Sequence, residues 1–250
     1  MYSVSQRARQ YKQPRGGFIN PKRCSIIQYE DSVMLNPVEN ISASTVGTAV
    51  DYLTRFMMGT DKEIAFEIPI YGAKRIKDLD YCYELLEMVA GLEDDSIIAT
   101  CQLTGYDVAL RQGAIYYKPV TEIQPDAATI ENIRAMVNRS LVFWEKYGPI
   151  VKDGFTFEGG YTEIILSGDG DFLTADTLWD FKVLSKAPTS KHTLQLLIYY
   201  LMGIHSIHPE FKSIRRLGIF NPRLNHVYLI DIDNIPSEVI QEVSEKVIGY

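Results

Sequence analysis

Cysteine is scarce in this 250-residue chain: Cys24, Cys82 and Cys101 are three in number and far apart. An odd, widely spaced set builds neither a disulfide framework nor a zinc pattern, and it falls short of the four thiolates that hold an iron-sulfur cluster. Long apolar runs are missing as well. No stretch approaches the roughly 20 residues needed to span a bilayer, and the opening MYSVSQRARQYKQPRGG has no apolar signal region. A cytoplasmic protein without a membrane partner is therefore expected. There is no GxxxxGK[ST] loop and no Gly-x-Gly-x-x-Gly after a strand, which leaves nucleotide-dependent transfer without support. Internal repeats and low-complexity segments are absent too.

Acid is also missing, but only locally. The net charge is −7, yet residues 1–23 hold Arg7, Arg9, Lys12, Arg15, Lys22 and Arg23 and no carboxylate. Phosphate binding needs a local basic track and not a basic protein. Such an arm, with Tyr2, Tyr11 and Phe18 among its cations, suits a phosphate backbone and stacked bases; a solvated tail is the plainer reading. A hydrophobic fraction of 46% is ample for a core.

Beyond the arm, EDSVMLNPVENIS reads as loop, and Ser42 or Ser44 is a plausible cap for a helix through Phe56. EIAFEIPIYG alternates like a strand, LDYCYELLEMVAGL reads as a helix, and TIENIRAMVNRSLVFWEKYG is an amphipathic helix closed by Gly148 and Pro149. Strands are expected near 155–173, 177–185, 214–220 and 226–232, with a last helix in PSEVIQEVSEKVIGY.

The segment from Gly168 to Tyr199 concentrates the chemistry. Along a strand, Asp180 and Lys182 share one face while Trp179, Phe181 and Val183 share the other. Asp171 closes the preceding strand, and the connection LTADTL is short enough for a hairpin that brings Asp171 beside Asp180. Adjacent carboxylates repel unless a cation lies between them. Mg²⁺ suits that place, being a hard ion that takes carboxylate oxygens and pairs with phosphate. Lys182 could then orient water or neutralise charge on a phosphate. In the next helix Leu194, Leu197, Ile198 and Leu201 mark an apolar face, and Gln195 and Tyr199, four apart, share another. Asp169, which has the strand parity of Asp171, Asp176 and Glu158 are further acids of the region with ordinary turn or surface readings.

Asp171, then Asp180-x-Lys182, then Gln195-x-x-x-Tyr199 resembles the PD-(D/E)XK nuclease superfamily, and within it the RecB-like, lambda-exonuclease-like and Cas4-like branch. Gly168 to Asp171 matches its Gly-x-x-Asp motif, and Ser44 to Asp51 (STVGTAVD) resembles its opening helix, with Asp51 where the family usually has histidine. With three cysteines the likeness is to members without the iron-sulfur cluster.

The resemblance implies an α/β, restriction-endonuclease-like core with a central mixed sheet flanked by helices. It divides a single nuclease domain over 1–250 into a basic arm (1–30), an opening helix (31–60), a mainly helical insert (61–148) and a catalytic core (149–250). It further implies a metal-dependent nuclease hydrolysing DNA phosphodiester bonds, with exonuclease action favoured. One or two Mg²⁺ or Mn²⁺ ions would be held by Asp171, Asp180 and the Phe181 backbone carbonyl, with Asp51 as a further ligand. Lys182, Gln195 and Tyr199 would complete the catalytic set, and Lys186, Lys191, His192 and Ser44 would touch substrate. Linear DNA is the expected partner, and the resemblance allows a homo-oligomer. The alternative is a catalytically inactive nuclease-fold module that binds DNA.

Overall fold

Apolar alternation in the last third of the chain produces strands, and the 3.6-residue periodicity of its middle produces helices. The structure is a computed structural model that describes all 250 residues, Met1–Tyr250. In chain order the strands are β1 (Tyr2–Ser3), β2 (Ser25–Gln28), β3 (Lys152–Phe155), β4 (Ile165–Ser167), β5 (Gly170–Leu173), β6 (Thr177–Phe181), β7 (Arg216–Asn221) and β8 (His226–Asp231). The helices are α1 (Val4–Gln10), α2 (Ala43–Met57), α3 (Lys62–Ala65), α4 (Glu67–Ile76), α5 (Leu79–Met88), α6 (Asp94–Thr104), α7 (Tyr106–Arg111), α8 (Ala127–Tyr147), α9 (Ser190–His205) and α10 (Ser237–Glu242). Two compact units result, residues 1–30 with 144–250, and residues 31–143. No helix is long and apolar enough to cross a membrane.

The first unit is α/β. Its six-stranded mixed sheet runs β2-β8-β7-β6-β5-β3, and only the β6–β7 pair is parallel. Helix α9 lies against β6 and β7, where Leu178, Leu217 and Ile219 meet Leu194, Leu197, Ile198 and Leu201 in one core. On the opposite parity Trp144 and Tyr147 of the last turn of α8 stack edge-on over Phe172 and Trp179, 4.7 and 4.9 Å between ring centres. Both faces of β5 and β6 are thus covered. Gly170 has no room for a side chain, because a Cβ there would come within 2.2 Å of Phe155 on the paired strand β3.

The basic arm is not a tail. Ser3 caps α1, Val4 and Ala8 are buried one turn apart, and Phe18 and Ile19 join the same core. Arg7 Nε and Nη2 donate to the Val247 and Lys246 carbonyls at 2.8 Å, so this cation closes the C-terminal segment. Arg9, Lys12, Arg15, Lys22 and Arg23 remain exposed.

The second unit holds helices and no strand. EIAFEIPIYG, expected as a strand, forms α3 and α4 instead. Asp61 caps α3 by accepting from the Glu63 amide at 2.9 Å, and Ala65, Phe66, Pro69 and Ala73 are buried at helical spacing. Its strand-like alternation is also compatible with i, i+3 and i+4 burial, and Pro69 is an unfavourable strand residue. The strand expected over 155–173 is likewise broken into β3, β4 and β5, with an irregular stretch through Gly159 and Gly160. The one expected over 177–185 stops at Phe181; the Lys182 N–H still donates to the Phe220 carbonyl at 2.9 Å, and the Asn221 side chain then donates to the Leu184 carbonyl at 2.8 Å.

Burial in this fold reaches the thiols. It pushes Cys24, Cys82 and Cys101 up to about 11, 12 and 12, with Asp78 adding to the rise at Cys82. Brief iodoacetamide treatment at mild alkaline pH is expected to label the native protein at least about a hundredfold more slowly than the unfolded one. Mass spectrometry reads this directly, and rapid native labelling of Cys82 or Cys101 would contradict their burial.

In the helical unit Asp107 accepts a 2.7 Å hydrogen bond from Tyr52, while its Oδ1 is buried without a hydrogen-bond partner. Burial raises this carboxyl to about 6, against the lowering effects of the Tyr52 hydrogen bond and Arg111, and Asp51 adds to the rise. Its native value thus lies above its unfolded one, so the native state holds the extra proton between about pH 4 and pH 6. The stabilising contribution is present below that window and lost on passing upward through it, by about 3 kcal/mol at most. Urea titrations of wild type and Asp107→Asn across that range are expected to show the variant with the flatter profile.

Candidate metal and phosphate site

The site is built by the β5–β6 hairpin and the residues just beyond its second strand. Phe172 pairs with Trp179 and Leu173 with Leu178 in antiparallel register, so one step further Asp171 lies opposite Asp180. The turn between them is pinned by local chemistry: Trp179 Nε1 donates to Thr174 Oγ1 at 3.1 Å, and Asp176 takes two 2.9 Å hydrogen bonds from Arg216 on β7. Asp176 is therefore a turn anchor. Phe181 approaches Asp171 through its backbone N–H, which donates to Asp171 Oδ2 at 2.7 Å.

Asp180 is the most constrained group here. It is 1% exposed, and Lys182 Nζ donates to its Oδ1 at 2.8 Å while Oδ2 is buried with no hydrogen-bond partner. Burial raises the Asp180 carboxyl, and Lys182 and Asp171 act against that rise. Burial alone would depress the Lys182 ammonium, but the carboxylates of Asp180, Asp171 and Asp169 outweigh it, and its pKa is raised. Lys182 thus stays charged, with its side chain 24% exposed at the strand end. Asp169 is itself exposed and acts at range.

Gln195 and Tyr199 are not on an open helix face. Helix α9 is buried from Thr193 to Tyr199, and Gln195 Nε2 donates to the Tyr199 hydroxyl at 2.6 Å. Tyr199 stacks on Phe157 with ring centres 5.4 Å apart. Burial, then the charges of Asp180 and Asp171, push its phenol well above the usual range, so the hydroxyl keeps its proton and stands within the field of both carboxylates.

The remaining candidates are placed differently. Lys186 is exposed in the β6–α9 connection and Lys191 in the first turn of α9. His192 caps that helix: its Nδ1 accepts the Thr189 N–H at 3.0 Å, and burial, with Lys182, Arg9 and Lys191, holds it down to about 4. The ring is neutral at neutral pH. Glu158 lies away from the hairpin carboxylates, bonded to Thr156 and to His208 Nε2 at 2.9 Å. Asp51 and Ser44 belong to α2 in the helical unit, where Asp51 accepts from Arg55 Nε at 3.1 Å and Ser44 is exposed after the Ser42 cap.

The residues present fit a hard divalent cation. The orphaned Oδ2 of Asp180, whose Oδ1 already takes the Lys182 ammonium, is an oxygen donor that only a cation or a proton would satisfy, and the Asp171 carboxylate stands opposite it. No three His, Cys, Asp or Glu side chains converge as a closed cage, and Mg²⁺, which keeps several waters, does not require one. Compared with family models, curated proteins and solved structures, the chain matches none.

Proposed function

We propose that the protein is a metal-dependent nuclease with a restriction-endonuclease-like core, hydrolysing DNA phosphodiester bonds and acting as an exonuclease. The observation that carries this reading is the Asp171–Asp180 pair, with Lys182 on one oxygen of Asp180 and the other oxygen buried and unpartnered. Asp180 is desolvated and 1% exposed. A carboxylate there is costly unless it is compensated, and compensation by a cation is what phosphodiester chemistry uses.

Asp171 and Asp180 would hold the metal, with the Phe181 carbonyl adjoining. Bound there, Mg²⁺ or Mn²⁺ supplies Lewis-acid stabilisation of charge on the phosphate. The chain's own residues do the rest. The Phe181 N–H fixes the Asp171 carboxylate, so one donor oxygen is oriented before any ligand arrives. Lys182, charged and partly open to solvent, orients a water or offsets charge on the phosphoryl oxygens. The buried Gln195–Tyr199 pair would keep a protonated phenol within the field of both carboxylates. Asp51 is part of this proposal only as the family's third-ligand position.

The test is degradation of end-labelled linear duplex and single-stranded DNA with Mg²⁺, Mn²⁺ or EDTA. Metal-dependent release of mononucleotides or short oligomers from the ends is the expected result. Binding of DNA without cutting under any metal would replace the enzyme by the inactive binding module, and neither cutting nor binding would overturn both.

A further inference from the structure

The cavity formed by the docked N-terminal segment and the start of α9 is not used by the carboxylate site. It measures about 500 Å³, within the ordinary range for small-molecule pockets. Its floor and sides are apolar and aromatic, from Tyr11, Ile26, Pro188 and Tyr228, and its only ionic groups are Lys22 and Lys191. No carboxylate lines it.

The walls are held to one another by hydrogen bonds and close packing. Gln13 Nε2 donates to the Ser190 carbonyl at 3.1 Å, and buried Thr193 Oγ1 donates to the Ile19 carbonyl at 2.7 Å. Gly17, at φ +84°, passes so close to α9 that a Cβ would lie 2.3 Å from that of Ser190. A pocket preformed in this way loses little on binding.

Planar apolar walls with two cations and no anion describe a ligand that joins an aromatic ring to a negative charge. A nucleoside phosphate is that ligand, and its base can stack on tyrosine whatever its identity. Position agrees with this chemistry. The chain that leaves the site at Lys182 reaches the cavity wall at Ala187 and Pro188, and α9, which packs on β6, lends it Ser190 and Lys191, so one short segment joins the carboxylate pair to the cavity.

We infer that this cavity is a nucleotide subsite, taking one base and its phosphate from the DNA strand whose backbone runs to Asp171 and Asp180. The inference rests on the nuclease reading for its biological substrate but not for its binding chemistry, and the test keeps the two apart.

Deoxynucleoside monophosphates are titrated by calorimetry into the 250-residue protein in EDTA, so that the carboxylate site has no metal. All four are expected to bind with similar affinity, at least about tenfold tighter than the matching nucleoside or inorganic phosphate, a gap of one decade in Kd. Ile26→Trp fills the cavity from an edge-strand position that is 51% exposed, and Lys22→Glu reverses a charge at an exposed site. Each is expected to weaken mononucleotide binding about tenfold or more, with circular dichroism unchanged. Ile26→Trp is also expected to raise KM for end-labelled DNA more than it lowers kcat.

Absence of mononucleotide binding up to ~10 mM, beyond the weak end of useful affinity, would overturn the subsite, even if the protein cuts DNA. Equal binding by Ile26→Trp and wild type would do the same, as would uptake of a fatty acid anion but no nucleotide. Mononucleotide binding in a protein that never cuts DNA would leave the subsite standing and remove the nuclease.

Discussion

Asp180→Asn is expected to lower metal-dependent DNA hydrolysis by about 10²–10³-fold, the usual cost of removing one preorganised charge at a reacting centre. Asparagine keeps the shape of the side chain, and its carbonyl can still accept from Lys182, as Asp180 Oδ1 does at 2.8 Å. Its amide would turn toward Asp171 and give the buried second position a donor where the native oxygen has no partner. The fold should therefore be as stable as wild type without metal, or more so, since a buried charge and its unpartnered oxygen are removed. Loss of activity with undiminished stability separates a metal-holding role from a packing role. Release rates from end-labelled DNA at saturating substrate give the number. Activity within a factor of about two of wild type would take Asp180 out of the site.

Lys182→Met is expected to destabilise the metal-free protein by about 3 kcal/mol, the lower end of the range for breaking a buried ion pair, because the lysine retains some solvent contact. The asymmetry of the pair sets the direction: Asp180 is 1% exposed and Lys182 24%, so removing the lysine strands the charge that water cannot reach. Adding Asp180→Asn to Lys182→Met should restore most of the loss, with an interaction energy of about 2 kcal/mol in a double-mutant cycle. Urea denaturation in EDTA measures all four corners. Millimolar Mn²⁺ should narrow the deficit of Lys182→Met and leave the double variant unmoved, since a cation held by a carboxylate stabilises only a chain that has it. Additive single effects would mean that Lys182 and Asp180 do not act as a pair.

The hairpin was legible in the sequence because its evidence is local. Strand parity places Asp180 with Lys182, and a turn of the length of LTADTL allows few registers, so Asp171 comes opposite Asp180. Depth was not legible. Parity says which residues share a face but not whether a helix covers it, and α9, buried nearly all round from Thr193 to Gly203, presents no polar stripe that would have placed Gln195 and Tyr199 inside. EIAFEIPIYG misleads for a related reason: over ten residues, alternation and helical spacing select overlapping apolar sets, and the Asp61 cap decides. The N-terminal residues read as a charged arm because cations dominate the count, whereas Val4, Ala8, Phe18 and Ile19 dominate the energy. The cavity against α9 left no motif, since its walls come from opposite ends of the chain.

Strand β2 closes the sheet by pairing Ser25–Gln28 with Leu229 to His226, two partners separated by almost the entire chain. As the polypeptide leaves the ribosome, the N-terminal thirty residues must wait, with Val4, Phe18 and Ile19 uncovered, until the final strands emerge. The helical unit lies between them as one contiguous segment, residues 31–143, and can complete itself during that wait. Removing either Ser25–Gln28 or His226–Asp231 therefore takes away the same sheet edge, and a fragment that keeps only residues 31–143 is the piece best suited to fold without the rest.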